Sequence, residues 1–439
     1  IATLLVVANL VFFALSVFGG LPAYYVVSLL VYALFYFANQ SWVGDILGAL
    51  SRMEVELDRL GAIFNYVENV SLDSHEHLVP VVEKLKAQDG TPLDPNTAPP
   101  RFVTSLISSA EFAMRAVRLK YLVKNAACWA CPIGCTRISK TDKVQGEGPE
   151  FETTWSFGAQ CGIDDLAAII EANAICNDLG IDTISAGSTI ACAMELAERG
   201  LLDSDLRFGR ADLLAPTLEA MGARRDIGAE LADGSLRLAQ KYGAPELSMS
   251  VKGLEMPAYD PRGMQGQGLL YATSNRGACH MRGNMLGLEV LGLPKLIDRF
   301  QVQGKSSYVI LHQNSSAAID SLVVCKFTNM GVAEEYFART LTAVTGIPYA
   351  TGDLIRVGER VWNLERVYNL RAGFTRADDT LPPRMLNEPV TSGPSKGWVN
   401  QLEPMLKEYY RSRGWDENGV PKPDKLKELQ LMDLMEAVR

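Results

Sequence analysis

Cys128-Trp-Ala-Cys131-Pro-Ile-Gly-Cys135 places three thiols inside one eight-residue stretch, and no other segment constrains the chain as tightly. Pro132 and Gly134 suit a loop that turns sharply and offers backbone N–H groups to sulfur. Three neighbouring thiolates can grip three corners of a cubane iron–sulfur cluster, leaving the fourth iron to a remote ligand. Zinc is the main rival, because it also takes four Cys or Cys/His ligands. Zinc sites usually pair two short knuckles, and this sequence has no second knuckle. The spacing is also the reverse of the CxxxCxxC arrangement of radical enzymes. The pattern points first to an iron–sulfur cluster; zinc and ordinary buried cysteines stay open.

The other five cysteines, Cys161, Cys176, Cys192, Cys279 and Cys325, are scattered. A disulfide framework belongs to short, loop-rich secreted chains, whereas 439 residues give room for about two to three domains. A reducing, cytoplasmic compartment is therefore expected. The formal net charge of -9 argues against nucleic-acid binding, which needs a basic face.

The first 44 residues carry no charge before Asp45. Two apolar runs, Ile1–Phe18 and Leu21–Phe37, flank Gly19-Gly20. Each is near the lower length limit for a spanning helix, so residues 1–44 read as a transmembrane helical hairpin, with a buried soluble hairpin as the alternative. A signal peptide fits less well, since no basic region opens the run. Residues 45–104 read as an amphipathic helix (Met53, Leu57, Leu60 and Phe64 at helical spacing) and a polar, proline-rich linker.

Beyond the linker the expected fold class is mainly α, in two helical domains over 105–250 and 251–439. Asp164-Asp165 open a helix with Leu166, Ile169, Ile170 and Asn173 on one face, stopped at Gly180. A second carries Ile190, Ala193, Met194 and Ala197 and ends at Arg199-Gly200. A third carries Phe337, Leu341 and Val344; a fourth carries Leu354, Val357, Val361, Leu364 and Tyr368. Period-two strands are few.

Several motifs follow the cysteine loop in order. They are Glu147-Gly-Pro-Glu-Phe-Glu152, Cys161-Gly-Ile-Asp-Asp-Leu166, Asn177-Asp-Leu-Gly-Ile-Asp182 and Pro257-Ala-Tyr-Asp-Pro-Arg-Gly263. Then come Tyr271-Ala-Thr-Ser-Asn-Arg-Gly-Ala-Cys-His280, Asp320-Ser-Leu-Val-Val-Cys325 and Asp378-Asp-Thr-Leu-Pro-Pro-Arg384. Together they resemble the aldehyde:ferredoxin oxidoreductase family of tungstopterin enzymes from about residue 105 onward. The resemblance implies an enzyme that oxidises a small aldehyde to a carboxylic acid. It also implies a [4Fe-4S] cluster, a tungsten (or molybdenum) ion held by two pterins, and ferredoxin as electron acceptor. Carried over by motif, Cys128, Cys131, Cys135 and Cys325 would hold the cluster. Glu152 and His280 would be the ionisable pair at the metal, moving protons while water is delivered to the carbonyl.

The same resemblance assigns pterin contacts to two Asp-x-x-Gly-Leu-(Asp/Cys) turns. The first is matched by Asn177, Ile181 and Asp182, with Asn177 where the family has Asp. The second is matched by Asp320 through Cys325, with Val323 in place of the usual Gly; Lys326 follows as a backbone contact. Arg262 and Arg282 would suit pterin phosphates, since guanidinium forks match phosphate. Glu171 fits one half of a subunit-bridging metal site, but Arg207–Ala215 offers no His, so no bridging metal is expected. A homodimer stays open.

Family members begin with a β-rich domain, which residues 1–104 do not resemble. Those residues are instead similar in texture to membrane-anchored relatives of mismatch-repair ATPases, although no GxxxxGK[ST] loop is present. The expectation is a fusion or truncated reading that lacks the family's first domain and meets the membrane, if at all, through residues 1–40 on the cytoplasmic side. Two other readings remain: an electron-relay iron–sulfur subunit without a working pterin site, and a reducer of aromatic-ring thioesters.

Overall fold

The computed structural model describes residues 120–434 apart from Ala130, Pro132, Leu293, Pro294 and Gly331. The expected hairpin at 1–44 and the helix and linker at 45–104 lie outside the described residues. Among the described residues no helix is long and apolar enough to cross a membrane. The chain divides into two compact units.

The described part of the first unit comprises residues 128–131 and 325–354. In the second unit, β1 (Leu122–Ala126), β2 (Thr136–Lys140) and β3 (Gln145–Glu147) form an antiparallel sheet in that order. α1 (Phe151–Thr154) runs directly into a π-helical turn over Trp155–Ala159. α2 (Leu166–Leu179) is capped by the Asp165 carboxylate, which accepts from the N–H groups of Ala167 and Ala168, and it stops at Gly180 with φ 68°. α3 (Thr183–Glu198) is capped by Asp182, which accepts from Ser185 N–H. Gly187 lets α3 close on the π-turn: a Cβ there would stand 2.7 Å from the Ser156 backbone carbon. α4 (Leu214–Gly222), α5 (Ile227–Leu231) and α6 (Ser235–Lys241) complete this part. Its core gathers Phe157, Ile169, Ile190, Met194, Leu196 and Leu218.

β4 (Ser250–Val251) and β5 (Leu254–Glu255) make a two-stranded hairpin. Lys252 and Gly253 both take positive φ at its turn, as a twist-matched two-residue loop demands. Next come α7 (Gln265–Thr273), a 3₁₀ turn over His280–Arg282, a π-helical turn over Gly287–Leu291, and α8 (Lys305–Ser321). In the first unit α9 (Glu334–Thr345) ends at Gly346, and Thr342 Oγ1 accepts from Tyr349 N–H. α10 (Thr351–Arg371) begins there and runs on into the second unit. α11 (Pro383–Asn387), α12 (Leu402–Arg413) and α13 (Pro423–Glu428) finish the chain. A second core holds Leu270, Tyr271, Met285, Val309, Trp362, Tyr409 and Trp415.

The mainly helical class follows the sequence reading, and the four expected helices form, the first two stopping at Gly180 and Arg199-Gly200 as expected. The buried face of α10 differs. Leu364 and Tyr368 are exposed, while Trp362 and Arg366 are buried. The reason is one carboxylate. Asp379, wholly buried, pairs with Arg366 (2.9 Å) and Lys252 (2.8 Å) and accepts from Tyr410 OH (2.6 Å). A paired, hydrogen-bonded guanidinium can enter a core that an unpaired one cannot. On α9, similarly, Ala338 is buried and Val344 exposed.

Candidate active site

Glu152 sits on α1, and its Oε2 accepts the Ala258 N–H at 2.9 Å. Its other oxygen, Oε1, is buried without a protein hydrogen-bond partner among the described residues. His280 Nε2 stands 4.0 Å from that oxygen. Burial, helped by the Asp182 charge, pushes the Glu152 carboxyl up to about 7. Burial and the Arg276 guanidinium push the His280 imidazole down to about 4. At neutral pH the imidazole is therefore uncharged, and the 4.0 Å contact is not an ion pair. It is a neutral base beside a carboxyl poised at half-protonation, the arrangement in which protons move most readily near pH 7.

Three aromatic and polar neighbours close this pocket. The Tyr259 ring lies 5.6 Å from the His280 ring and stacks on Phe151 at 6.3 Å. Burial and the Glu152 carboxylate push the Tyr259 phenol well up, so it stays protonated. The N-terminus of α3 reaches the same place: Thr183 Oγ1 meets Thr153 Oγ1 at 2.8 Å. Asp182, exposed, caps α3 through Ser185 N–H (2.8 Å) and acts electrostatically on both Glu152 and His280. Ile181, just before it, is half-buried, and Asn177 is exposed at the end of α2.

Arg282 Nη1 donates to Asp320 Oδ2 (3.2 Å), its Nη2 donates to both carboxylate oxygens of Glu365, and its guanidinium carbon lies 5.6 Å over the Trp362 ring. Arg282 and Glu365, with Asn275, Arg276, Leu364 and Tyr368, line an open groove of about 530 Å³. Arg262 behaves differently. It is buried, paired with Asp260 at 2.6 Å, and donates to the Glu388 carbonyl at 3.0 Å. Its guanidinium is committed inside the protein, which gives that position a structural role in place of the phosphate contact expected from the sequence. Glu171 pairs with Lys143 at 3.0 Å.

Cys128 and Cys325 are exposed, Cys131 and Cys135 half-buried, and none of the four is in a disulfide. Cys128 and Cys131 fall in the first unit together with Cys325 and Lys326, while Cys135 immediately precedes β2 in the second. Among the described residues no three of His, Cys, Asp or Glu stand close enough together to hold one metal ion. The donor chemistry nonetheless fits an iron–sulfur centre: thiols outside any disulfide, and a Gly134 at φ 57° with open space where a Cβ would stand. The pterin-bound metal is tested by the Glu152 pocket, whose buried oxygen lacks a protein partner and whose neighbours suit proton exchange with a bound group. Sequence reasoning named Glu152 and His280 but gave no role to Tyr259, Arg276 or Glu365. Tyr259 lay inside a quoted motif; Glu365 left no signal, because its role depends on how α10 is rotated.

The family model described as "Aldehyde ferredoxin oxidoreductase, domains 2 & 3" matches residues 101–431. A "Tungsten-containing aldehyde ferredoxin oxidoreductase" of Pyrococcus furiosus is 48% identical over 328 residues, covering 72% of this chain and 54% of that protein. One of the same name from Thermococcus kodakarensis is 45% identical over 345 residues, covering 76% and 57%. The chain thus spans about half the length of the curated relatives it matches. A solved active site complex BamBC of benzoyl coenzyme A reductase superposes with a TM-score of 0.61 at 19% identity, over 74% of this chain and 55% of that one, which is a likeness of fold.

Proposed function

The chain belongs to the aldehyde ferredoxin oxidoreductase family, and from that premise we propose that it is the cluster- and pterin-binding part of an enzyme oxidising aldehydes to carboxylic acids. The overall change is RCHO + H2O → RCOO⁻ + 3 H⁺ + 2 e⁻. In this reading Cys128, Cys131, Cys135 and Cys325 hold a [4Fe-4S] cluster, and Asn177, Ile181, Asp182, Arg282, Asp320 and Lys326 contact the pterins. The tungsten (or molybdenum) bis-pterin would supply a two-electron acceptor, and the cluster held by the four cysteines a one-electron route toward ferredoxin.

The carrying observation is the Glu152–His280 pair. Ala258 N–H fixes one carboxyl oxygen, so the other faces the reacting water. A carboxyl titrating at about 7 takes a proton from that water and releases it again between turnovers. The neutral His280 can donate or accept at Nε2, and Tyr259 holds the imidazole face. All three are half-buried, which limits the access of bulk water to the pair.

The test measures Fe, W, Mo and Zn on the purified protein, and reduced-viologen formation with a panel of aldehydes. The reading expects iron with tungsten or molybdenum and aldehyde-dependent viologen reduction. Iron without either metal, and no turnover, would leave only an electron-relay role. Zinc in place of iron would refute the reading.

A further inference from the structure

Helix α10 grips the segment that carries His280 at two points. Its residues Trp362, Glu365 and Asn369 recur at helical spacing and share one face. At the front of the segment, Asn275 Nδ2 donates to the Trp362 carbonyl at 3.0 Å and to Glu365 Oε2 at 3.3 Å. The Asn275 carbonyl in turn accepts from Asn369 Nδ2 at 2.7 Å. At the far end, Arg282 Nη2 donates to both Glu365 oxygens at 2.5 Å. Glu365 thus bonds both ends of the segment, and His280 lies between them.

The grip is firm on the helix side. Trp362 is wholly buried, its Nε1 donates to Tyr409 OH at 3.0 Å, and the Arg282 guanidinium lies over its ring. α10 sits close on α8: a Cβ on Gly358 would stand 1.8 Å from the Asn314 carbonyl oxygen. The last turn of α8 carries Asp320, the other carboxylate that accepts from Arg282, at 3.2 Å. Arg282 and Glu365 line the open groove, and Glu365 is 35% exposed, so their pair alone would hold little. Two carboxylates, a ring and the Asn275 amide acting together hold much more. The turn has less support of its own. It is a single 3₁₀ turn over His280–Arg282, and its N-cap, Cys279, makes no side-chain hydrogen bond. In so short a turn a displacement of Arg282 moves His280 with it.

We propose that Glu365, with Asn275, is a positioning residue for His280: it holds the His280–Arg282 turn so that the imidazole Nε2 faces Glu152 Oε1. The proposal rests on the reading above, in which that pair moves the protons of aldehyde oxidation. Glu365 acts on the pair through Arg282 and Asn275. What it secures is the 4.0 Å approach of Nε2 to Oε1. Reacting groups misplaced by about 1 Å lose up to about a hundredfold in rate, so an anchor outside the pocket matters to the chemistry inside it.

The test compares the purified wild-type holoprotein with Glu365→Ala, Glu365→Gln and Asn275→Ala. Glu359→Gln is the control on the same helix, since Glu359 pairs with Lys425 at 3.2 Å. The first readout needs no substrate: the imidazole NMR signals of His280, assigned with His280→Gln and followed between about pH 5.5 and 8. Wild type and Glu359→Gln should stay nearly flat, because burial holds this imidazole neutral down to about 4. Glu365→Ala and Asn275→Ala should titrate inside the window, as the loosened turn admits water and the imidazole returns toward 6.5. Glu365→Gln keeps one oxygen for Arg282 and should fall between. Loss of the Glu365 charge alone would push the imidazole the other way. The second readout is turnover: kcat should fall about tenfold in Glu365→Ala with KM little changed. Titration inside the window in a protein that oxidises no aldehyde keeps the anchor and removes the reaction. Flat signals in both alanine variants overturn the proposal even if Tm drops, since Glu365 would then serve the fold alone.

Discussion

His280 Nε2 approaches Glu152 Oε1 to 4.0 Å, yet burial moves the two groups in opposite directions, the carboxyl to about 7 and the imidazole to about 4. The consequence for stability has a defined sign. Between its ordinary 4.5 and about 7, Glu152 holds more protons folded than unfolded, so stability falls as pH rises through that window. His280 does the reverse: it contributes stability above 6.5 that is lost as pH falls toward about 4. The slopes oppose each other from 4.5 to 6.5; His280 acts alone just below that range and Glu152 alone above it. Replacing Glu152 by Gln should therefore stabilise the protein progressively, by up to about 3 kcal/mol relative to wild type from pH 4.5 to 8, read by urea unfolding. A difference that stays constant with pH would mean the carboxyl is not buried as described.

Activity should show the same group from the other side. If Glu152 takes a proton from water, kcat rises with pH through about 7 and levels off. Glu152→Gln should lower kcat by about a hundredfold or more and remove that inflection. Retention of the inflection in the Gln variant would assign it to another residue.

Asp379 is a buried carboxylate that pairs with both Lys252 and Arg366, each no more than 2% exposed. Removing it leaves two core cations that have lost their carboxylate partner, with Tyr410, the Trp415 ring and backbone carbonyls as neighbours. Asp379→Asn should cost about 3–5 kcal/mol, seen as a large drop in Tm. Asp212, exposed and paired with Arg210, is the control; its Asn variant should change Tm little.

Much of this was readable from the sequence where local chemistry decides. Asp165 and Asp182 sit where helix caps belong, and Gly180, Gly200 and Gly346 stop the helices they follow. Glu152 and His280 were legible as chemistry because their motifs are. The rotation of α10 was not, since apolar periodicity favours Leu364 and Tyr368, and only the distant Asp379 explains why Arg366 goes inside. The Glu365 anchor escaped notice for the same reason: Asn275 and Glu365 are ordinary polar residues until the fold brings them together beside Arg282.

Val323 adopts φ 57° with its side chain 93% exposed, at the position where the family's turn has Gly. A β-branched residue in the left-handed region pays for the Cβ clash and here packs against little. Val323→Gly should raise stability by about 1 kcal/mol, after the greater freedom of unfolded glycine is counted. A loss of stability on urea unfolding would show that the valine makes contacts that outweigh the strain.

The cluster assignment separates Cys325 from the buried cysteines by one measurement. Cys325 is an exposed free thiol directly before Lys326, able to reach a metal as thiolate. Cys192 is enclosed by the first core, and burial pushes its thiol up to about 12, which keeps it neutral there. Serine at 325 should cut iron content and bleach the visible absorbance of the purified protein, because a hydroxyl is a poor replacement for a thiolate on iron. Serine at 192 should lower Tm, by placing a hydroxyl in an apolar core, while leaving iron per protein unchanged. If both variants keep full iron, the fourth ligand is not Cys325. If the serine at 192 alone loses it, the cluster is held by the core, and the order of ligands drawn from the motifs is wrong.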